Sequence, residues 1–352
     1  MISGASVADV INSRLNEQYH CDNDHLGPLS NRLAHATISA TNDENYCRNI
    51  WKALGVTTII MTKNFDLTKL SVKGSDFPVF DFASVLPQAL FEELNDTFEQ
   101  FIGGAVIDGL FRQLHSDSDS HRYRSKSNQL TAWKALSDEV LSSTFISNLL
   151  SLLKANRSMW TSPIDFLRIW LRIKVTRLRV TISLHSGRRG YELTPHTDKA
   201  DKFAALILYF GSTNPTAVAE GGTTFYRPKS RAESQHYLRE LTGLDSRLWS
   251  FVPFRLLPFR SAGLPRVYSH SDVTSEQSQA VQRFRELHEP FYKSKFSSNN
   301  MVLFFKDNLT WHEVNLQNYP PGEERRSLLI NIYCSPTLPT RIYHRVRDLF
   351  TN

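Results

Sequence analysis

Cysteine is scarce in this chain: Cys21, Cys47 and Cys334 are the only three in 352 residues. Three thiols do not make a disulfide framework, so a stapled extracellular scaffold is excluded and a reducing cytoplasm is the expected setting. Long apolar runs are absent as well. No stretch approaches the ~20 residues that a membrane-spanning helix needs, so no membrane partner is expected. The opening Met-Ile-Ser-Gly-Ala-Ser has no basic region leading into an apolar core, and no secretory signal is expected. Internal repeats are missing, which removes solenoid and propeller arrays. Hydrophobic residues make up 41% and charged residues 22% of the chain. That is ordinary globular composition and leaves out wholesale disorder and fibrous repeats. The length suits one large domain or two ordinary ones.

The charge that is present sits unevenly. The formal balance is +6. Between residues 227 and 295 there are 12 Lys/Arg against 7 Asp/Glu, and nine of those twelve cations are arginine. Recognition of an anionic substrate, nucleic acid included, is one reading of that stretch. A solvated surface insertion is the other, and the lack of a contiguous basic run favours it.

Periodicity divides the chain. Residues 1–75 read as an accessory region, with one β-branched run at 56–61 suited to a strand. Residues 77–82 open a new unit. Leu90, Leu94, Phe98 and Phe101 recur at helical spacing, and 130–153 is a second helical stretch with Trp133 and Leu136 on one side. The last part of that stretch, 145–153, is short enough to be a helix of its own. The Ser/Asp/Arg-rich residues 116–127 between these stretches read as a loop. From 166 onward the period falls to two. Residues 171–175 and 178–184 alternate, 203–210 is continuously apolar, and 301–305, 312–316 and 327–333 are further strand candidates. Helices followed by many short strands predict an α+β chain whose core is mainly β: a sandwich or barrel with a helical flank.

Three features in the strand-rich part carry chemistry. His196-Thr-Asp198 places an imidazole and a carboxylate on one side of an extended chain, because side chains repeat every two residues. His312 lies on a distant strand candidate and adds a second imidazole. Two nitrogens and one oxygen form a facial set that leaves three positions of an octahedral metal open, the ligand set of non-haem Fe(II) oxygenases. A 2-oxo acid can chelate two of those positions and dioxygen can take the third. The far carboxylate of 2-oxoglutarate then needs a cation, and arginine suits a planar bidentate partner. Arg325 follows His312 at a distance that allows one turn into the next strand, and Ser327 shares its face. Arg326 competes for that role. Strand parity puts Arg325, Ser327, Leu329 and Asn331 on one face and Arg326, Leu328, Ile330 and Ile332 on the other. Taken singly, His196-x-Asp198 also reads as a satisfied structural histidine, and the ordered set is what gives it weight.

The stretches Gly190-Tyr-Glu-Leu-Thr-Pro-His196-Thr-Asp198, Leu206-Ile-Leu-Tyr209-Phe, Glu220-Gly221-Gly222-Thr-Thr-Phe, Asn300-Met-Val-Leu-Phe-Phe, Trp311-His312-Glu-Val and Arg325-Arg-Ser-Leu-Leu-Ile-Asn occur in this order. In that order, residues from about 77 to 333 resemble an Fe(II)/2-oxoglutarate-dependent oxygenase of the prolyl-4-hydroxylase-like branch. The resemblance implies a double-stranded β-helix, a jelly roll of the cupin kind, with flanking helices. It implies His196, Asp198 and His312 as iron ligands, Fe(II), 2-oxoglutarate and dioxygen as cofactor and cosubstrates, and Arg325 as partner of the 2-oxoglutarate C5 carboxylate. Its polar residue two after the arginine and apolar residue three after it favour Arg325 over Arg326, since Ser327 and Leu328 fit. Tyr209 matches a tyrosine whose hydroxyl often joins that carboxylate, and it also reads as a core aromatic on a buried strand. Family halogenases replace the carboxylate with a small residue, so Asp198 favours hydroxylation of a C–H bond with release of succinate and CO2, with desaturation and ring formation left open.

Two regions depart from the family pattern. The segment at about 227–297 is much longer than a strand connection and reads either as a substrate-covering insertion or as a peripheral decoration. It contains a helical-looking stretch at 276–288. Residues 1–75 have no counterpart, so the expected domains are 1–75 and an oxygenase domain at 76–352. Cys21, His25 and Cys47 have irregular spacing and no evident fourth ligand for zinc. His185 sits near the end of a strand leading to the metal motif and is a candidate lining residue. A small-molecule, amino-acid or peptidyl substrate is expected. The nucleic-acid demethylase branch carries a second arginine six residues after the first, and Asn331 stands there instead. A catalytically silent β-helix binding module is the rival from another class.

Overall fold

The computed structural model describes residues 65–67, 70–73, 77–103, 106–108, 110–116, 120–156, 166–167, 169, 171, 176–242, 262, 264 and 275–336. The chain divides into two units, Met1–Thr57 and Thr58–Asn352, and every described residue lies in the second. The strand read at 56–61 and the Cys21, His25 and Cys47 group fall outside the described residues.

Two antiparallel sheets form the core. Their strands, in chain order, are β1 (Leu70–Lys73), β2 (Val79–Phe82), β3 (Val106–Asp108), β4 (Phe111–His115), β5 (Thr176–Gly187), β6 (Glu192–His196), β7 (Lys202–Tyr209), β8 (Thr224–Pro228), β9 (His288–Lys293), β10 (Asn300–Phe305), β11 (Trp311–Asn315) and β12 (Arg325–Pro336). The main sheet runs β1-β2-β10-β7-β12-β5-β4-β3, and the minor sheet runs β6-β11-β8-β9. Eight helices accompany them among the described residues: α1 (Gln88–Asp96), α2 (Phe98–Ile102), α3 (Ser120–Gln129), α4 (Thr131–Val140), α5 (Ser143–Ala155), α6 (Pro215–Glu220), α7 (Arg231–Thr242) and α8 (Ser275–Leu287).

The continuous apolar run of β7 is explained by burial on both faces. Ala204, Leu206 and Leu208 join Met301, Leu303 and Phe305 of β10 and Leu328, Ile330 and Ile332 of β12 in one cluster. The same cluster holds Leu94 of α1, Phe98 of α2, Trp133 and Leu136 of α4 and Leu149 of α5, so the helices cover this face. The intervening residues Ala205, Ile207 and Tyr209 pack instead with Val302 and Phe304 and with Phe225 and Val314 of the minor sheet. The two sheets therefore meet face to face. A third cluster, containing Tyr226, Trp311, Tyr237, Leu238 and Phe284, backs the minor sheet with α7 and α8.

The helical spacing of Leu90, Leu94, Phe98 and Phe101 resolves into α1 and α2, which meet at Thr97. Its hydroxyl donates to the Glu93 carbonyl at 2.5 Å and accepts from Trp133 Nε1 at 2.9 Å. α5 is a helix separate from α4, with Ser142 Oγ accepting from the Phe145 amide at 3.1 Å as its N-cap. One expectation is corrected: much of the polar stretch read as a loop at 116–127 is helical, as α3. Tertiary contact decides it. Tyr123 is buried, its ring stands edge-on to Phe101 at 5.2 Å, and its hydroxyl shares a 2.8 Å hydrogen bond with Ser137. Of the alternating stretch at 171–175 only Leu171 is described, and it is helical. Within the 227–297 segment residues 227–242, 262, 264 and 275–297 are described and include α7, α8 and β9; β9 pairs with β8 and forms one edge of the minor sheet.

Candidate metal centre and anion pocket

Register brings the two imidazoles together. β11 runs antiparallel to β6 with His312 directly opposite His196, and a bulge follows between His312 and Val314. The ring centroids are 4.3 Å apart. Asp198 lies just past the end of β6 and joins them. One ligand atom from each of His196, Asp198 and His312 lies within 4.8 Å of the other two, the one such group of metal-binding side chains among the described residues.

Hydrogen bonds fix which ring nitrogens are free. His196 Nδ1 stands 2.9 Å from the Thr194 carbonyl, and His312 Nδ1 stands 3.1 Å from the Thr310 carbonyl. A carbonyl only accepts, so each Nδ1 carries the proton and each Nε2 keeps its lone pair, the tautomer a metal ligand requires. Desolvation, and then the nearby His312 charge, push the His196 imidazole down from 6.5 to about 3. Burial also lowers His312. Both rings are neutral at neutral pH. Burial alone would raise Asp198, but the Lys202 ammonium and the two imidazoles outweigh it and hold the carboxyl well below its usual range. Lys202 Nζ sits 2.6 Å from Asp198 Oδ1 in a buried ion pair. Asp198 Oδ2, 4.0 Å from His312 Nε2, is buried and has no hydrogen-bond partner among the described residues. Two bare imidazole nitrogens and one bare carboxylate oxygen thus converge, which is the donor set a divalent metal of the Fe(II) type fits.

Arg325 forms a second feature of the same cavity. It is 5% exposed, and its guanidinium lies over the Tyr209 ring with Cζ 5.3 Å from the centroid. Its nitrogens donate to the Gly221 carbonyl at 2.6 Å, Ser327 Oγ at 3.1 Å and Thr223 Oγ1 at 3.4 Å. All three acceptors are neutral. No acidic side chain pairs with this buried cation among the described residues. A buried charge without a counterion is costly, and an incoming carboxylate relieves that cost. Tyr209 faces Ser327 across the β7–β12 register, and its hydroxyl bonds Thr223 Oγ1 at 2.8 Å and Ser294 Oγ at 2.7 Å. Gly222 makes this cradle possible, since a Cβ there would stand 1.8 Å from the Ser294 carbonyl oxygen. The glycine lets the chain pass against Ser294 and so sets Thr223 and the Gly221 carbonyl beside Arg325.

A cavity of about 400 Å³ joins the two features, lined by His196, Asp198 and His312 and by Arg325 and Thr223. His185 also lines it, with Nε2 3.0 Å from Gln113 Nε2. Arg326 points to the opposite face, over the Phe98 ring at 5.6 Å. From the long segment, Ala262 accepts from the Thr197 amide at 2.7 Å and Leu264 donates to the Pro195 carbonyl at 3.1 Å, so both lie alongside the ligand-bearing stretch and line the cavity. Sequence reading missed Lys202 and Thr223. Lys202 heads an apolar strand and Thr223 follows a Gly-Gly pair, and only the pairing of distant strands shows what either touches.

No protein-family model matches the chain, and no curated protein matches it in sequence. Some solved structures are loosely similar in backbone. A prolyl-4-hydroxylase from Pseudomonas putida is similar over 74% of this chain and 94% of its own, with 12% identity and a TM-score of 0.32. HygX from Streptomyces hygroscopicus, with nickel, 2-oxoglutarate and hygromycin B bound, is similar over 74% of this chain and 83% of its own, with 10% identity and a TM-score of 0.36. The epimerase SnoN, in complex with Fe3+, alpha ketoglutarate and nogalamycin RO, is similar over 74% of this chain and 79% of its own, with 12% identity and a TM-score of 0.35. These are loose likenesses. No described helix is long and apolar enough to cross a membrane.

Proposed function

We propose that this chain is an Fe(II)- and 2-oxoglutarate-dependent oxygenase built on a double-stranded β-helix, of the prolyl-4-hydroxylase-like kind. It hydroxylates an unactivated C–H bond of a small molecule, amino acid or peptidyl substrate, with release of succinate and CO2. The observation that carries this reading is one cavity holding both a neutral two-imidazole, one-carboxylate set and a buried arginine without an acidic partner.

When bound, the metal and 2-oxoglutarate supply the oxidising chemistry with dioxygen. The chain's own residues do the rest. His196 and His312 offer Nε2, and Asp198 offers Oδ2 while Lys202 occupies its other oxygen. Arg325 takes the far carboxylate of 2-oxoglutarate as a planar donor, with the Ser327 and Thr223 hydroxyls beside it and the Tyr209 ring beneath. Ile207, Phe304 and Val314 line the cavity between and exclude water. The oxygenase domain is residues 76–352, and the 227–297 insertion covers the substrate, a role supported by Ala262 and Leu264 at the cavity wall.

Anaerobic titration tests the reading. Metal-free protein mixed with Fe(II) and 2-oxoglutarate should develop a visible metal-to-ligand charge-transfer band, and His312→Ala should abolish it. Iron that binds His312→Ala as tightly as the wild type would overturn the ligand assignment.

A further inference from the structure

The main-sheet wall of the cavity is more polar than the inside of a sandwich calls for. Ile182 and Leu184 of β5 face the helices, which turns Thr181, Ser183 and His185 toward the minor sheet. On β12 the same alternation turns Asn331 inward, and register sets Asn331 beside Thr181. Thr181, Ser183 and Asn331 are 0%, 1% and 4% exposed. Thr181 Oγ1, Ser183 Oγ and Asn331 Oδ1 have no hydrogen-bond partner among the described residues. Ser183 and Asn331 line the cavity that the three candidate metal ligands also line. Orphaned polar atoms are rare in buried positions because each loses its water without replacement. Two of the three line one cavity and the third, Thr181, stands opposite Asn331 in the register, and such a patch calls for a ligand.

The chemistry of the patch narrows that ligand. Two hydroxyls and a carboxamide both donate and accept, and none carries charge. The Lys202 ammonium is engaged by Asp198, and Arg325 stands in its own cradle beside Thr223. An alkyl chain would leave all three groups unsatisfied, and an anion would meet no cation on the patch. We propose that Thr181, Ser183 and Asn331 form the substrate subsite, and that it takes an uncharged small molecule bearing hydroxyl or amide groups. This rests on the oxygenase reading for its role and deepens it by naming a substrate class.

The test uses the full chain and the variant Thr181→Val/Ser183→Ala, which removes two orphaned hydroxyls at nearly constant volume. Three quantities are measured: the melting temperature of the metal-free protein, the affinity for 2-oxoglutarate read from the Fe(II) charge-transfer band, and the melting shift caused by probes. The probes are methyl α-D-glucopyranoside and N-methylacetamide, with hexanoate and hexanol as contrasts. The double variant should melt above the wild type, because an unmet polar cost has been removed. It should keep its 2-oxoglutarate affinity within twofold and lose the shift that the glycoside or the amide gives the wild type. A lower melting temperature would make the hydroxyls structural. A tenfold loss of 2-oxoglutarate affinity would assign the patch to the cosubstrate. Protection of the wild type by hexanoate or hexanol as strong as that by the polar probes, or no protection by either polar probe, would overturn the substrate class. Absence of the band in the wild type would sink the oxygenase reading alone, since a probe shift lost in the variant would still establish the subsite.

Discussion

At Asp198 a single carboxylate is divided between two claims. Oδ1 is taken by the Lys202 ammonium and Oδ2 is left bare. An ammonium of this kind keeps the carboxylate ionised and leaves Oδ2 as the oxygen that would hold a metal. Lys202→Met leaves the buried carboxylate uncompensated, which costs about 3–5 kcal/mol in the metal-free protein. A divalent ion can then supply the missing positive charge. Thermal melts with and without Mn(II) should therefore show a lower metal-free melting temperature and a larger metal-induced rise in Lys202→Met than in the wild type. A smaller rise would mean that the lysine is needed to shape the ligand. The three candidate ligands were legible because residue type alone restricts them: few side chains offer a bare nitrogen or oxygen to a metal. Lys202 was not, because a lysine at the head of a strand has many possible surroundings and only the fold chooses among them.

Among the elements, β12 shows how far parity reaches. Its odd-numbered residues Arg325, Ser327 and Asn331 turn toward the cavity side, and its even-numbered residues Leu328, Ile330 and Ile332 pack under the helices. The two adjacent arginines are thereby sent to different solvents, one into a buried cradle and one over the Phe98 ring. Arg325→Gln should raise the 2-oxoglutarate dissociation constant at least tenfold while leaving Mn(II) affinity within about twofold, a loss of the size expected for a charge-assisted hydrogen bond. Arg326→Gln should change neither. Isothermal titration of each ligand separately reads the difference, and a reversed pattern would mean that the strand register is misassigned. Period two was enough to read this strand, and unbroken apolarity was enough to read β7. It was not enough for α3, whose sequence Ser-His-Arg-Tyr-Arg-Ser-Lys-Ser-Asn-Gln carries one buried aromatic in a polar context. There the helix depends on what Tyr123 meets on α2 and α4, and no local pattern encodes that. The edge strand β9 was missed for a similar reason: its burial follows no two-residue period, with Phe291 and Tyr292 both half-buried, and pairing with β8 defines it.

For the whole molecule, three histidines held neutral inside the fold set its response to acid. His196 is lowered to about 3 by desolvation and then by His312, His288 is lowered to about 4 by desolvation, and His312 is lowered by burial. In the unfolded chain each would titrate near 6.5. Between that value and the folded one the unfolded state binds more protons, so stability is full above about pH 6.5 and falls as the pH drops toward 4. Asp198 acts in the same direction at lower pH, because its folded value lies below the unfolded one. Melting temperatures of the metal-free protein from pH 8 to 4 should decline steadily below about 6.5, and Mn(II) should raise the profile without lessening that decline, because the metal-bound rings take up no protons in the folded state. A flat profile would mean that the rings are not held neutral. The pairing of His312 with His196 across β6 and β11 has a consequence for the order of assembly. Roughly a hundred residues of chain must close as one loop before these two strands meet, and such contacts are the late and slow ones in folding. A nascent chain that has reached only the first imidazole and its carboxylate holds two ligands out of three. On the proposed assignment the three ligands would come together only in a chain whose β6 and β11 have already paired, so tight metal capture would report completed topology.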